Sequence, residues 1–303
     1  RIFLFLNLQK YKYQSLRLLY YLLLKPLSYM PLWLLYGLAN GIYFIIYKVL
    51  GYRKQVVWAN LSNSFPDMPE AERQALMRRF YRHMSELMVE TLWCFSLSEK
   101  RLQKSLQVKN PELLDKYYEQ GRSVVLVLGH YGSWEFVLAG LNYFVRHRVA
   151  TIYIPLTSKT LDRAFHRMRL RFGAEMISKK DFAANMQAGS MEPRAIIFGA
   201  DQSPSISKNI YWTEFLNQET AVALGVEKYA KKYDMPVLFT WLHKRARGRY
   251  EVEFELITDR PQDEPPGTIT EKHVRLMEKQ IRQRPELWMW SHRRWKKKRE
   301  VAG

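Results

Sequence analysis

His130 and Glu135 stand five residues apart at the end of an apolar run, in Val124-Val-Leu-Val-Leu-Gly129-His130-Tyr-Gly132-Ser-Trp134-Glu135-Phe136. An imidazole held by a carboxylate is a general base with a fixed tautomer. On one continuous helix, a spacing of five turns the two side chains about 140° apart. The pair therefore needs a bend, and Gly129 and Gly132 supply residues suited to one. Spacing alone says little, since 7 histidines and 29 acids in 303 residues make about 0.7 such pairs by chance. A second match, His273 to Glu278, lies in an amphipathic helical pattern and reads as coincidence. The plain alternative for His130 is a turn histidine with its bonds satisfied.

The elements that must position this pair are a strand and a helix. Val124–Leu128 is a short apolar run of the kind buried in a sheet. Phe136-Val-Leu-Ala-Gly-Leu opens a helical pattern. Strand, Gly-rich turn, helix is where α/β proteins place ligands. Further strand-like runs fall at 150–154, 195–199, 236–242 and 250–257, and helical patterns at 135–145, 159–172, 221–233 and 270–283. A longer helix is expected from about Glu70 to Trp93, after a loop (Asn60 to Pro66) and a capping Asp67. This alternation predicts an α/β fold: a central, mostly parallel sheet flanked by helices. Glu251, Glu253 and Glu255 alternate with Val252, Phe254 and Leu256, which predicts a half-exposed edge strand.

The formal charge is +19, which favours anionic partners: an acidic carrier protein, anionic lipid or nucleic acid. The single cysteine, Cys94, excludes an internal disulfide and reads as core filler. The first 66 residues hold eight Lys/Arg and no Asp or Glu. Within them, 22 uncharged residues run from Pro26 to Tyr47, long enough to cross a bilayer or to lie in one leaflet. The alternative is a buried core helix. The expected division is a membrane-anchoring helical segment, 1–66, and an α/β domain with a basic tail, 67–303. No cleavable signal peptide is evident.

Three other places carry candidate chemistry. Asp201 and Gln202 follow an apolar strand and suit a substrate, a loop or a simple turn. Arg163, Arg167, Arg169 and Arg171 form a basic helix face, either solvated or an anion site. The tail Trp288-Met-Trp290-Ser-His292-Arg293-Arg294-Trp295-Lys296 interleaves aromatics with bases, which suits a membrane interface or nucleic-acid stacking.

In order along the chain, these blocks resemble the late acyltransferases of lipid A biosynthesis, within the wider lysophospholipid acyltransferase group. The resemblance runs from about Leu27 to Arg299. Asn60-Leu-Ser-Asn-Ser-Phe-Pro66 is similar to the family's N-L-x3-F-P block, and Gly129 to Glu135 to its G-H-x-G-x-W-E block. Asp201-Gln202 is similar to its D-Q block, and Pro285 to Lys296 (Pro-Glu-Leu-Trp288-Met-Trp290-Ser-His292-Arg293-Arg294-Trp295-Lys296) to its C-terminal W-x-H-R-R-x-K block. Phe215-Leu-Asn217 replaces the usual Phe-Phe-Gly, and Tyr153-Ile-Pro-Leu the usual Y-R-P, which puts the acceptor in question more than the reaction.

The resemblance implies a glycerol-phosphate-acyltransferase-like fold and acyl transfer from a thioester on acyl carrier protein, or on coenzyme A, to a hydroxyl of a lipid A precursor. It implies His130 as the base and Glu135 as its support. Oxyanion donors would be turn amides near Gly132 or a nearby arginine. Arg169, Arg171, Arg293 and Arg294 become candidates for phosphates, and Asp201 and Gln202 for the substrate site. No cofactor, metal or nucleic acid is implied. The location implied is the cytoplasmic face of the bacterial inner membrane. Alternatives are a lysophospholipid or other glycolipid acyltransferase, a non-catalytic anionic-lipid or nucleic-acid binding protein, and a metallohydrolase built on His130, Glu135 and Asp201.

Overall fold

The computed structural model describes residues 17–204 and 210–299; Arg1, Lys10 and Lys12 of the acid-free opening lie outside them. Nine strands are described: β1 (Leu106–Val108), β2 (Val124–Leu128), β3 (Arg148–Tyr153), β4 (Glu175–Ser178), β5 (Arg194–Gly199), β6 (Ile210–Phe215), β7 (Gln218–Ala223), β8 (Val237–Ala246) and β9 (Arg249–Thr258). Seven make one sheet in the order β1-β9-β8-β2-β5-β3-β4. Every neighbouring pair is parallel except β8 with β9. The α/β architecture is thus the one the alternating pattern predicts.

All five residues of β2 are buried, because helices cover the sheet centre on both faces. One set of helices (Glu70–Cys94, Trp134–Gly140, Lys159–Arg169) meets through Trp93 on Phe136 and Phe95 on Phe165. The other set (Phe182–Ala188, Gly225–Lys232, Thr268–Gln283) meets through Phe182 on Tyr229 and through Glu227. Cys94 is fully buried in the core, as its apolar neighbours suggest.

Several local expectations change. Asn60–Ser64 belongs to a helix, Lys54–Ser64, rather than a loop. Asp67 does not cap the next helix; Pro69 stands at its N-cap, and Arg73 ties the connecting loop through the carbonyls of Phe65 and Met68. The expected domain boundary at 66 falls in this loop. Ala221–Ala223 is strand rather than helix. Leu216 and Asn217 both take positive φ (51° and 58°), as a two-residue hairpin turn of the primed type requires, and join β6 to β7. β9 is an edge only beyond Val252, because β1 covers Tyr250 to Val252.

Glu227 caps the Thr268–Gln283 helix from another element. Its carboxylate accepts from the Gly267 amide (2.6 Å), the Thr270 amide (3.1 Å) and the Thr270 hydroxyl (2.8 Å). Removing it leaves buried donors unpaired. Glu227→Ala is expected to lower unfolding free energy by roughly 2–4 kcal/mol, read from urea denaturation. A loss below about 1 kcal/mol would mean that water replaces the carboxylate.

Candidate active site

The parallel register builds the site. Leu128 of β2 lies opposite Gly199 of β5. Two residues further on in each strand stand His130 and Asp201, side by side at the carboxyl ends of neighbouring strands. Asp201 Oδ1 lies 2.7 Å from His130 Nδ1, and Oδ2 accepts the His130 amide at 2.8 Å. Trp288 Nε1 donates to the same Oδ2 at 2.9 Å. The carboxylate on the imidazole is therefore Asp201. Gly129 admits this approach, since a Cβ there would lie 3.4 Å from the Asp201 carboxyl carbon and 2.5 Å from Met277 Sδ.

Bonded to a carboxylate, Nδ1 carries the proton, which leaves Nε2 as the basic nitrogen. Nε2 points toward the exposed Gln202, whose amide nitrogen lies 3.2 Å away. Trp134 packs edge-on to the ring at 5.0 Å. Burial opposes protonation of His130, but the Asp201 charge and hydrogen bond, with help from Glu135, raise its pKa above the ordinary value. Asp201 is fully enclosed, yet the imidazole and the donors around it hold its carboxyl down at about 2.

Glu135 stands in the first turn of Trp134–Gly140, where a carboxylate meets the positive helix end. Its oxygens face Arg169 rather than His130: Nη2 to Oε1 is 2.7 Å and Nε to Oε2 is 3.1 Å, a bidentate pair. The bend does not bring Glu135 onto the imidazole. A parallel neighbour strand reaches His130 first, and Arg169 occupies the glutamate. Arg169 itself stacks over Phe165 and lies close enough to His130 to oppose its protonation.

The other predicted residues divide. Arg171 donates to the carbonyls of Leu97 and Phe95, both at 2.7 Å, so it closes the end of the Glu70–Cys94 helix rather than facing a phosphate. The Gly132 amide bonds the Leu287 carbonyl at 2.9 Å and is not a free oxyanion donor. Gly132 has φ +55°, and a Cβ there would press on Leu242 at 3.1 Å. Arg293 is exposed. Arg294 is buried and lines a small cavity with Asp201 and His273, its pKa pushed down to about 10 by burial.

The tail aromatics are structural. Trp288 and Trp290 are buried, and Asn60 Nδ2 holds the carbonyls of Trp290 (2.8 Å) and His292 (2.9 Å). They are not free to stack on bases. His292 in turn accepts the Ser203 amide at 3.3 Å, which steadies the loop beyond Gln202. Burial pushes its pKa down, and the positive charge of Arg294 adds to this, so the ring stays neutral and able to accept. Trp288 as the second donor to Asp201 went unseen in the sequence, where only its aromatic character is visible.

Among the described residues, one group has metal-ligand spacing: His243, Glu251 and Glu253 on the β8–β9 hairpin. Arg245 pairs with Glu251 and Lys109 with Glu253, so local cations already balance it.

A family model described as bacterial lipid A biosynthesis acyltransferase matches residues 6–297. The chain belongs to that family. A lipid A biosynthesis acyltransferase of Haemophilus influenzae is 25% identical over 262 residues, covering 86% of this chain and 83% of its own. A lipid A biosynthesis lauroyltransferase of Escherichia coli is 22% identical over 286 residues, covering 89% and 88%. A palmitoleoyltransferase of the same organism is 23% identical over 249 residues, covering 80% and 79%. In this acyltransferase family member, His130, Asp201 and Trp288 come from three of the blocks that carried the resemblance.

Proposed function

We propose that this chain moves a fatty acyl group from an acyl thioester to a hydroxyl of a lipid A precursor, or a similar anionic glycolipid, at the cytoplasmic face of the bacterial inner membrane. The observation that carries the reading is the His130–Asp201 contact, with Nε2 turned toward the exposed side. The acceptor hydroxyl takes the place of the Gln202 amide at Nε2. His130 removes its proton as the oxygen attacks the thioester carbon; the C–O bond forms and the C–S bond breaks. The imidazolium returns the proton to the leaving sulfur, giving an ester and a free thiol. Asp201 holds the ring and stabilises its cation, as the acid does in a serine triad. No enzyme nucleophile is required, because the acceptor supplies the oxygen.

In this reading Glu135 is a positioning residue that holds Arg169 beside the imidazole. Arg169 offers N–H groups to the developing oxyanion or to an acceptor phosphate. Acyl carrier protein is the proposed donor, since an acidic carrier complements a charge of +19. The named relatives differ in their acyl group, so chain length is not carried over from them.

The test offers labelled acyl carrier protein and acyl coenzyme A, separately, to a lipid A precursor, a lysophospholipid and a neutral glycolipid. Transfer to the precursor from the carrier protein is expected, with none by the His130→Ala variant. Transfer confined to the lysophospholipid would replace the proposed acceptor. Absence of transfer in every combination would sink the acyltransferase reading in favour of a binding role.

A further inference from the structure

The N-terminal helices expose an apolar face that none of the described residues covers. Leu22, Trp33 and Phe44 are 73%, 71% and 59% exposed, and Leu38, Val49 and Leu50 are exposed beside them. The stretch Leu32–Val49 is long and apolar enough to cross a membrane. Its opposite side, however, is buried in the protein. Leu35, Tyr36, Ala39 and Tyr47 pack toward the Glu70–Cys94 helix, and the Tyr36 hydroxyl donates to the buried Glu90 at 2.6 Å. Tyr47 meets Tyr81 of that helix at 5.0 Å. From Leu35 to Tyr47 is about 18 Å of helix. Along that length the partner helix carries exposed Arg78, Arg79 and Arg82 and the ion-paired Glu86. Hydrocarbon is about 30 Å thick. A crossing orientation would drag these charges into it.

The rim of the exposed face is basic and aromatic. Lys25 lies over Tyr21, Arg82 over Tyr43, Lys48 and Lys54 over Tyr47, and Arg53 over Tyr52. Aromatic rings with cations at their edge suit the headgroup level of an anionic bilayer. The same surface leads to the site: Tyr20 packs on Phe95, Phe95 on Phe165, and Arg169 stacks over Phe165 while holding Glu135.

We propose that Leu32–Val49 and the helical turns before it lie in the plane of one leaflet of an anionic phospholipid membrane, half immersed, and do not cross it. This rests on the reading that the acceptor is a membrane lipid. It places Arg169 and His130 beside the leaflet, so that an acceptor presents its headgroup hydroxyl while its tails stay in lipid.

The full chain is tested with single cysteines replacing Trp33, Leu38, Phe44 and Val49, each carrying an environment-sensitive label. Buried Cys94 does not compete for the reagent. Vesicles of phosphatidylcholine and phosphatidylglycerol are added, and label depth is read with quenchers at known positions. Residues 33 and 49 are about 24 Å apart along the helix. Lying flat, all four labels enter the bilayer at depths agreeing within about 5 Å. Crossing, Leu38 and Phe44 sit on the order of 10 Å deeper than the two ends, and that result overturns the proposal. Labels that stay in water overturn it too. Lys25→Gln, Lys48→Gln and Lys54→Gln together are expected to weaken binding to these vesicles about 100-fold. Unchanged binding would remove the headgroup contact from the proposal. None of these readouts needs catalysis, so failed acyl transfer with immersed labels would count against the reaction and leave the surface standing.

Discussion

His130→Ala is expected to lower kcat for the proposed acyl transfer by on the order of 10³–10⁴-fold, and Asp201→Asn by a similar factor, with the double variant little worse than either. In the proposed mechanism the pair acts as one unit: without the ring there is no base, and without the carboxylate the ring loses its tautomer and the partner of its cation. The pH profile separates this role from simple damage to the fold. As the proposed base, His130 acts only when neutral, so kcat/KM is expected to rise through its pKa as pH increases. Asp201 raises that pKa above the ordinary histidine value, so the acid limb of the wild type stands above about 6.5. Removing the negative charge makes the proton easier to lose. The limb in Asp201→Asn therefore moves to lower pH even as the rate collapses. A limb that stays in place, with the variant folded, would mean that Asp201 does not hold the catalytic ring.

Glu135→Ala is the second large effect, and it appears in stability. The Glu135–Arg169 pair is largely enclosed, with side chains 7% and 15% exposed. Truncating one partner of such a pair strands the other charge and costs about 3–5 kcal/mol. Calorimetry should show Tm falling by roughly 5–15 °C. Adding Arg169→Leu should recover most of that loss, because the stranded guanidinium is gone. The acid limb should move to lower pH but less than in Asp201→Asn, since Glu135 acts on the ring by charge alone whereas Asp201 also holds it by a hydrogen bond. A limb shift as large as that of Asp201→Asn would return Glu135 to the role of imidazole partner.

Much was legible in the residues alone. The run Val124–Leu128 identified a central strand, because five apolar residues in succession are suited to a strand buried on both faces. The alternation of patterns identified the α/β class, and Gly129 and Gly132 marked the turn that carries His130. The ordered blocks pointed to the family. Element ends were less secure. The β6–β7 hairpin was missed because its turn is Leu216-Asn217 rather than the usual Asn-Gly, and Ala221–Ala223 was absorbed into the helix beyond it.

What sequence could not decide is which carboxylate meets the histidine. Glu135 is five residues from His130 and Asp201 is 71, so proximity along the chain favours the wrong partner. Strand order reverses that choice. The chain passes through β3 and β4 before β5 returns to lie against β2, and the register Leu128 to Gly199 then puts Asp201 beside the ring. The same folding back buries Trp288, Trp290 and Arg294, which in the linear chain look like a loose basic tail. Local patterns report which residues can form a strand or a turn. Which strands become neighbours depends on long-range packing and hydrogen bonding, and a histidine–carboxylate pair assembled across two strands exists only once that is settled.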